Sequence, residues 1–193
     1  MATVEGWMDE SAPTSTTGIY VLLAVVILPN GGSDQAREQL CSLLPPRVRS
    51  LHWHRERRPE RRKEIITVLN RLDVEVHAAV AHPVPARRQE QARAACLTAI
   101  LGDLPDLGTL HIEARTGPLN LRDRHTLLNI HRSGTNIPGM VLHQRKTDDP
   151  LLWAADAAAS ILALGQAWHR PGDAHWDRRF RPPLRSIRWL PPQ

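Results

Sequence analysis

Ile19 to Leu28 is the longest apolar run in this chain. It is about half the length of a membrane span. It is rich in Val, Ile and Leu and ends at Pro29-Asn30-Gly31-Gly32, a turn signal. The run therefore reads as a buried strand. Val4 to Glu10 reads as a strand before it, with the Ser/Thr/Pro segment Ser11 to Thr17 as the turn, so the chain opens on a hairpin. Helices and strands then alternate. Ser33 or Asp34 caps a helix to about Leu44, which Pro45-Pro46 stops. Val48 to Trp53 reads as a short strand, and Pro59 begins a helix with apolar positions Ile65, Ile66, Val68, Leu69 and Leu72. Val74 to Ala81 reads as strand, Pro85 to Leu104 as an amphipathic helix, Thr109 to Ala114 as strand, Leu121 to Ser133 as helix and Gly139 to Gln144 as a last strand. Asp149-Pro150 places an N-cap and a first-turn Pro at the head of a long closing helix to about Trp168. This order predicts an α/β fold with a mixed sheet covered on both faces. Residues 1–168 form the predicted domain, and residues 169–193, with five prolines and six arginines, an extended basic tail.

Three carboxylates stand where apolar neighbours surround them. Asp9 ends the first strand in Gly6-Trp7-Met8-Asp9-Glu10-Ser11. Glu113 lies in Leu110-His111-Ile112-Glu113-Ala114, and Asp156 sits mid-helix in Leu151-Leu152-Trp153-Ala154-Ala155-Asp156-Ala157. A buried carboxylate costs several kcal/mol, on the order of what pairing or a bound cation can offset. Three converging carboxylates make an oxygen-rich site suited to Mg²⁺ or Mn²⁺ and to phosphodiester hydrolysis. Asp9 and Glu10 are consecutive on a strand, so they point to opposite faces. Asp149 reads as the helix cap and is also a candidate fourth metal ligand.

The chain has 25 Lys+Arg against 20 Asp+Glu and a sequence pI near 10.2. Only Lys63 and Lys146 are lysines. Arginine favours planar, bidentate contact with phosphate, which fits a nucleic-acid partner, DNA or RNA. Eight of the basic residues lie between Arg47 and Lys63, directly around His52-Trp53-His54. His52, Arg55, Arg57, Arg58, Arg61 and Arg62 are the candidate phosphate contacts. Trp168, Trp176 and Trp189 interleave with arginine in the tail, where they either stack bases or pack back on the domain. Cys41 and Cys96 lack a CxxC context and read as reduced core residues of a cytoplasmic protein. No signal peptide is evident at the start, and no segment reads as a membrane span. GxGxxG, GxxxxGK[ST] and GxSxG are all absent, which removes the main support for dinucleotide, P-loop and α/β-hydrolase readings. The oligomeric state is left open.

These segments resemble a known family. Gly6-Trp7-Met8-Asp9-Glu10-Ser11 followed by Tyr20-Val21-Leu22-Leu23-Ala24-Val25-Val26, then Leu51-His52-Trp53, then Asp149-Pro150-Leu151-Leu152-Trp153-Ala154-Ala155-Asp156, is similar to the bacterial domain-of-unknown-function 3800 family. The resemblance spans roughly residues 4 to 165. Ala12 stands where that family usually has Gly, and Trp153 where it often has Gln. The family is placed in the ribonuclease H-like superfamily. The resemblance implies a ribonuclease H-like domain with Asp9, Glu113 and Asp156 as metal-binding acids, in the order strand, strand, C-terminal helix. The expected activity is a Mg²⁺- or Mn²⁺-dependent nuclease that leaves a 3′-hydroxyl. The alternative is a catalytically inactive nucleic-acid-binding or protein-interaction module.

Overall fold

The computed structural model describes residues 4–15, 18–167 and 178–191. Within them the chain runs β1 (Val4–Ser11), β2 (Thr14–Ser15), β3 (Gly18–Ile27), α1 (Ser33–Cys41), α2 (Pro59–Leu69), β4 (Glu75–Val84), α3 (Gln89–Asp103), β5 (Leu107–Glu113), α4 (Gly117–Arg132), β6 (Met140–Gln144), α5 (Leu151–Ala167) and β7 (Leu184–Leu190). Single 3-10 turns lie at Trp53–Arg55 and Ala86–Arg88. The fold is mixed α/β, with one sheet in the order β6-β5-β1-β3-β4-β7 and β2 paired to β3. β3 runs antiparallel to both β1 and β4. The pairs β1–β5, β5–β6 and β4–β7 are parallel.

Residue alternation along the central strands sorts the core into two layers. Trp7, Leu22, Ala24 and Val26 face one way, beneath α1, α2 and α5. Met8, Val21, Leu23, Val25 and Ile27 face the other way, beneath α3 and α4. β3 is buried on both faces by these layers, which is why its sequence is a continuous apolar run rather than an alternating one. α5 is apolar nearly all round because it is enclosed, with β1 and β3 beneath it and α1 and the Trp53 turn beside it. Its alanines bring the helix backbone close to the sheet.

Several elements depart from the expectation. Val48 to Leu51 is irregular rather than a strand. The segment pairs with no strand among the described residues. α1 starts on Gly32 in the left-handed region (φ 82°) with no side-chain cap, so neither Ser33 nor Asp34 caps it. Cys96 is buried, but Cys41 is exposed at the end of α1 and is not a core residue. α5 is not the closing element of the fold. Leu184–Leu190, inside the segment read as a tail, forms β7 on the outer side of β4. Trp168 and Trp176 lie outside the described residues; Trp189 is on β7 and half exposed. No helix among the described residues is long and apolar enough to cross a membrane.

Candidate functional site

Asp9 and Glu113 come from neighbouring parallel strands, β1 and β5. Asp156 comes from α5, which crosses the same face. All three carboxylates meet at one point, and a cation occupies it. Lys146 Nζ lies 2.9 Å from Asp9 Oδ2, 3.2 Å from Glu113 Oε2 and 3.1 Å from Asp156 Oδ1. Lys146 stands in the turn between β6 and α5, and its backbone carbonyl accepts the Trp153 indole N–H at 2.6 Å. Trp153 therefore anchors the turn from which the lysine reaches inward. Lys146, Asp9 and Asp156 are each at most 6% exposed, and Glu113 is the member of the group that opens to solvent.

The protonation states follow from this crowding. Burial, then a hydrogen bond with Glu113, raises Asp9 well above the ordinary carboxyl range. Burial would raise Glu113 too, but the hydrogen bond from Asp9 and the Lys146 charge outweigh it and hold Glu113 low. Asp9 is thus the carboxyl of the pair that takes up a proton more readily. Burial opposes charge on Lys146, yet the surrounding carboxylates keep it a firm cation, above the usual lysine value. Asp9 Oδ1 accepts the Glu10 amide. Asp9 Oδ2 is buried and off-axis for a hydrogen bond, so its contact with Lys146 is ionic rather than directed. Asp156 Oδ2 accepts the backbone N–H of Trp53 at 2.7 Å, which ties the His52-Trp53 turn to the site.

The oxygen donors suit a hard cation. The present spacing is set by an ammonium, with N···O near 3 Å, whereas Mg²⁺ needs oxygens at about 2.0–2.1 Å. In this arrangement no three His, Cys, Asp or Glu side chains among the described residues are set to hold a metal. The carboxylates fit Mg²⁺ or Mn²⁺ if Lys146 withdraws and each oxygen closes in by about 1 Å.

Asp149 is engaged elsewhere. It accepts two hydrogen bonds from Arg37, at 3.1 Å each, the Trp7 indole N–H at 2.8 Å and the Leu151 amide at 3.0 Å. It acts as cap and clamp, not as a fourth member of the group around Lys146. Trp7 itself stacks on His111 (5.1 Å between rings), whose Nδ1 lies 2.6 Å from Gln144 Oε1.

A cavity of about 420 Å³ reaches His52, which feels the charges of Lys146, Asp156 and Glu113. Its lining includes His52, Arg49, Arg55, Arg58 and Arg61. His52 is half-buried; burial, then the nearby Lys146 charge, lowers its pKa, so it is neutral near pH 7. Of the candidate phosphate contacts, His52, Arg55, Arg58 and Arg61 line this cavity. Arg57 is exposed outside the cavity lining, and Arg62 is structural. Arg62 Nε donates to the Glu56 carbonyl at 2.8 Å, and its guanidinium lies over the Trp53 ring at 5.1 Å. Arg58 pairs with Glu56 and Arg61 with Glu64, which tempers their charge.

The opposite face of β1 carries a second buried ionic group. Arg93 of α3 makes two hydrogen bonds of 3.0 Å to Asp123 of α4 and a further one to Glu10. Arg115 reaches Asp123 at 2.9 Å and Glu90 at 2.7 Å. Burial acts against Asp123, but hydrogen bonds from His143 and Arg93 hold its carboxyl well below the ordinary range. This group joins α3, α4 and β1 and is structural.

Lys146 is the central residue that sequence reasoning missed. It lies in a polar turn with no periodicity, and its one signal was rarity among so many arginines. The comparisons add no family: no protein-family model matches the chain, and no curated protein matches it.

Proposed function

We propose that this protein is a metal-dependent phosphodiester hydrolase of ribonuclease H-like type that acts on nucleic acid. The observation that carries the reading is the meeting of Asp9, Glu113 and Asp156, from two strands and a helix, around one cation position beside an arginine-lined cavity. A hairpin opening and a mixed sheet between two helical layers support the ribonuclease H-like assignment, as does the resemblance to the domain-of-unknown-function 3800 family. In this reading the three carboxylates hold Mg²⁺ or Mn²⁺. When bound, such an ion supplies an activated water and charge stabilisation at the scissile phosphate. Lys146 vacates the cation position and remains close by as a counter-charge to phosphate. Arg49 and Arg55 hold the substrate backbone. Neutral His52 stands at the cavity wall, able to accept a proton there.

The test is incubation with single- and double-stranded DNA and RNA in Mg²⁺ or Mn²⁺. The expected result is cleavage that leaves 3′-hydroxyl ends and is lost in Glu113→Gln. Glu113 is the most open of the three acids, so this change should leave the fold intact. Binding without metal-dependent cleavage would instead favour a second reading. In it the protein is a catalytically inactive nucleic-acid-binding module. The observation behind that alternative is Lys146 itself, which neutralises the acids without any metal.

A further inference from the structure

A second basic cavity, of about 620 Å³, lies along the C-terminal half of α2. Lys63, Arg71, Arg178, Arg179 and Arg181 line it around Asn70, and among the described residues no carboxylate or aromatic side chain contributes to the lining. The cavity is built rather than incidental. Asn70 donates to the Arg179 carbonyl at 2.9 Å and accepts the Arg181 backbone N–H at 2.8 Å. These two bonds tie the arginine-bearing segment to the end of α2, and Phe180 between them packs on the core. Lys63 and Thr67 are one turn apart on that helix, and Asn70 and Arg71 follow in the turn that ends it. Lys63 pairs with Glu60 at 3.7 Å in solvent, a contact too weak to neutralise the cavity.

α2 links this cavity to the first one. Arg58 and Arg61 line the first cavity from the start of the helix, and Lys63 to Arg71 line the second. From Arg61 to Leu69, its last residue, the helix rises about 12 Å, three to four nucleotides of a stacked strand at about 3.4 Å each.

We propose that the Lys63–Arg71–Arg178–Arg181 cavity is a second nucleic-acid site that holds the phosphates of the strand whose other part lies in the His52 cavity. Resting on the nucleic-acid reading above, this extends the footprint along α2. Arginine and lysine side chains suit the backbone phosphates, contacts that carry no sequence information.

The experiment compares single strands of 3 and 20 nucleotides binding to the full chain, wild type and Arg71→Gln/Arg178→Gln/Arg181→Gln, from 50 to 200 mM salt. All three side chains are exposed, and Gln keeps most of the aliphatic stem, so the melting temperature should hold; Arg71→Gln/Arg181→Gln serves as a milder variant. For the 20-mer, loss of three phosphate contacts should flatten the slope of log K against log[salt] by about 2 and weaken binding at least tenfold at 50 mM. Binding of the 3-mer, too short to reach from one cavity to the other, should not change. Equal affinity of variant and wild type for the 20-mer, or equal weakening for both lengths, overturns the second site and leaves the nuclease reading standing. Wild type that binds neither length at 50 mM salt overturns both. Wild type that binds poly-aspartate through these arginines, but no oligonucleotide, assigns the cavity to an acidic protein partner and also refutes the proposal.

Discussion

Replacing Lys146 with Met tests the central geometry most directly. Met keeps the length of the stem and removes the charge, so three carboxylates would face one another in a site that is almost closed. Burial already favours a proton on Asp9. Without the ammonium, a second carboxyl must be neutralised. Protonating a carboxyl of pKa about 4 at pH 7 costs about 1.4 kcal/mol per pH unit, or about 4 kcal/mol. That agrees with the roughly 3–5 kcal/mol seen when one partner of a buried ion pair is removed. The cost should fall to about 2 kcal/mol at pH 5.5, because the proton is then easier to take up. Urea unfolding can be followed by tryptophan fluorescence, since Trp7, Trp53 and Trp153 are buried. Millimolar Mn²⁺ should restore stability to the variant more than to wild type, by about 2.7 kcal/mol if the ion is at 100 times its Kd. A loss below about 1 kcal/mol at pH 7, or a loss independent of pH, would refute the reasoning.

Other outcomes follow from particular contacts. Asp156→Asn keeps an acceptor for the Trp53 amide and should fold while binding Mn²⁺ less well; Asp156→Ala strands that amide and should cost about 1–3 kcal/mol more in urea unfolding. Asp123→Ala leaves Arg93 buried without its main partner and should destabilise by about 3–5 kcal/mol. Since the folded Asp123 carboxyl sits below its unfolded value, its contribution is complete above pH 4 and is lost as pH falls through the lower, folded value. Wild type and variant should therefore converge in stability toward the acid limit, as measured by urea midpoints from pH 5 to pH 2. A thiol reagent should label Cys41 quickly in the native protein and Cys96 only after unfolding, because burial pushes the Cys96 thiol up to about 12; mass spectrometry of the labelled peptides checks this.

The three acids were legible because each breaks an apolar pattern: Asp9 and Glu113 in strands, Asp156 in an alanine-rich helix. Their convergence could not be read from spacing, since it depends on β1 and β5 lying side by side with α5 across them. Asp149 was legible as a cap from the Pro that follows it, and its extra partners Arg37 and Trp7 come from far along the chain. Lys146 was hidden because turns have no period to violate. β7 was hidden for a different reason. As an edge strand it places Arg185 and Arg188 in solvent, where they pair with Glu75 and Asp103, so its sequence looks like a charged tail. Val48 to Trp53 misled in the opposite direction. Its composition suits a strand, but the backbone is used by the site, where the Trp53 amide meets Asp156.

Asp9 and Glu10 are adjacent, yet each meets a different buried cation: Lys146 on one side of the sheet and Arg93 on the other. This fixes the alignment of β1 beyond what apolar packing alone would impose. A slip of one residue would put at most one of the two carboxylates beside a buried cation, and it would carry Trp7 away from the Asp149 carboxylate and into the layer beneath α3. The two opposed charges act as a key cut on both edges. The strand enters its slot in one frame only, and the error most natural to a β-strand is excluded where the candidate chemistry needs its first acid to point the right way.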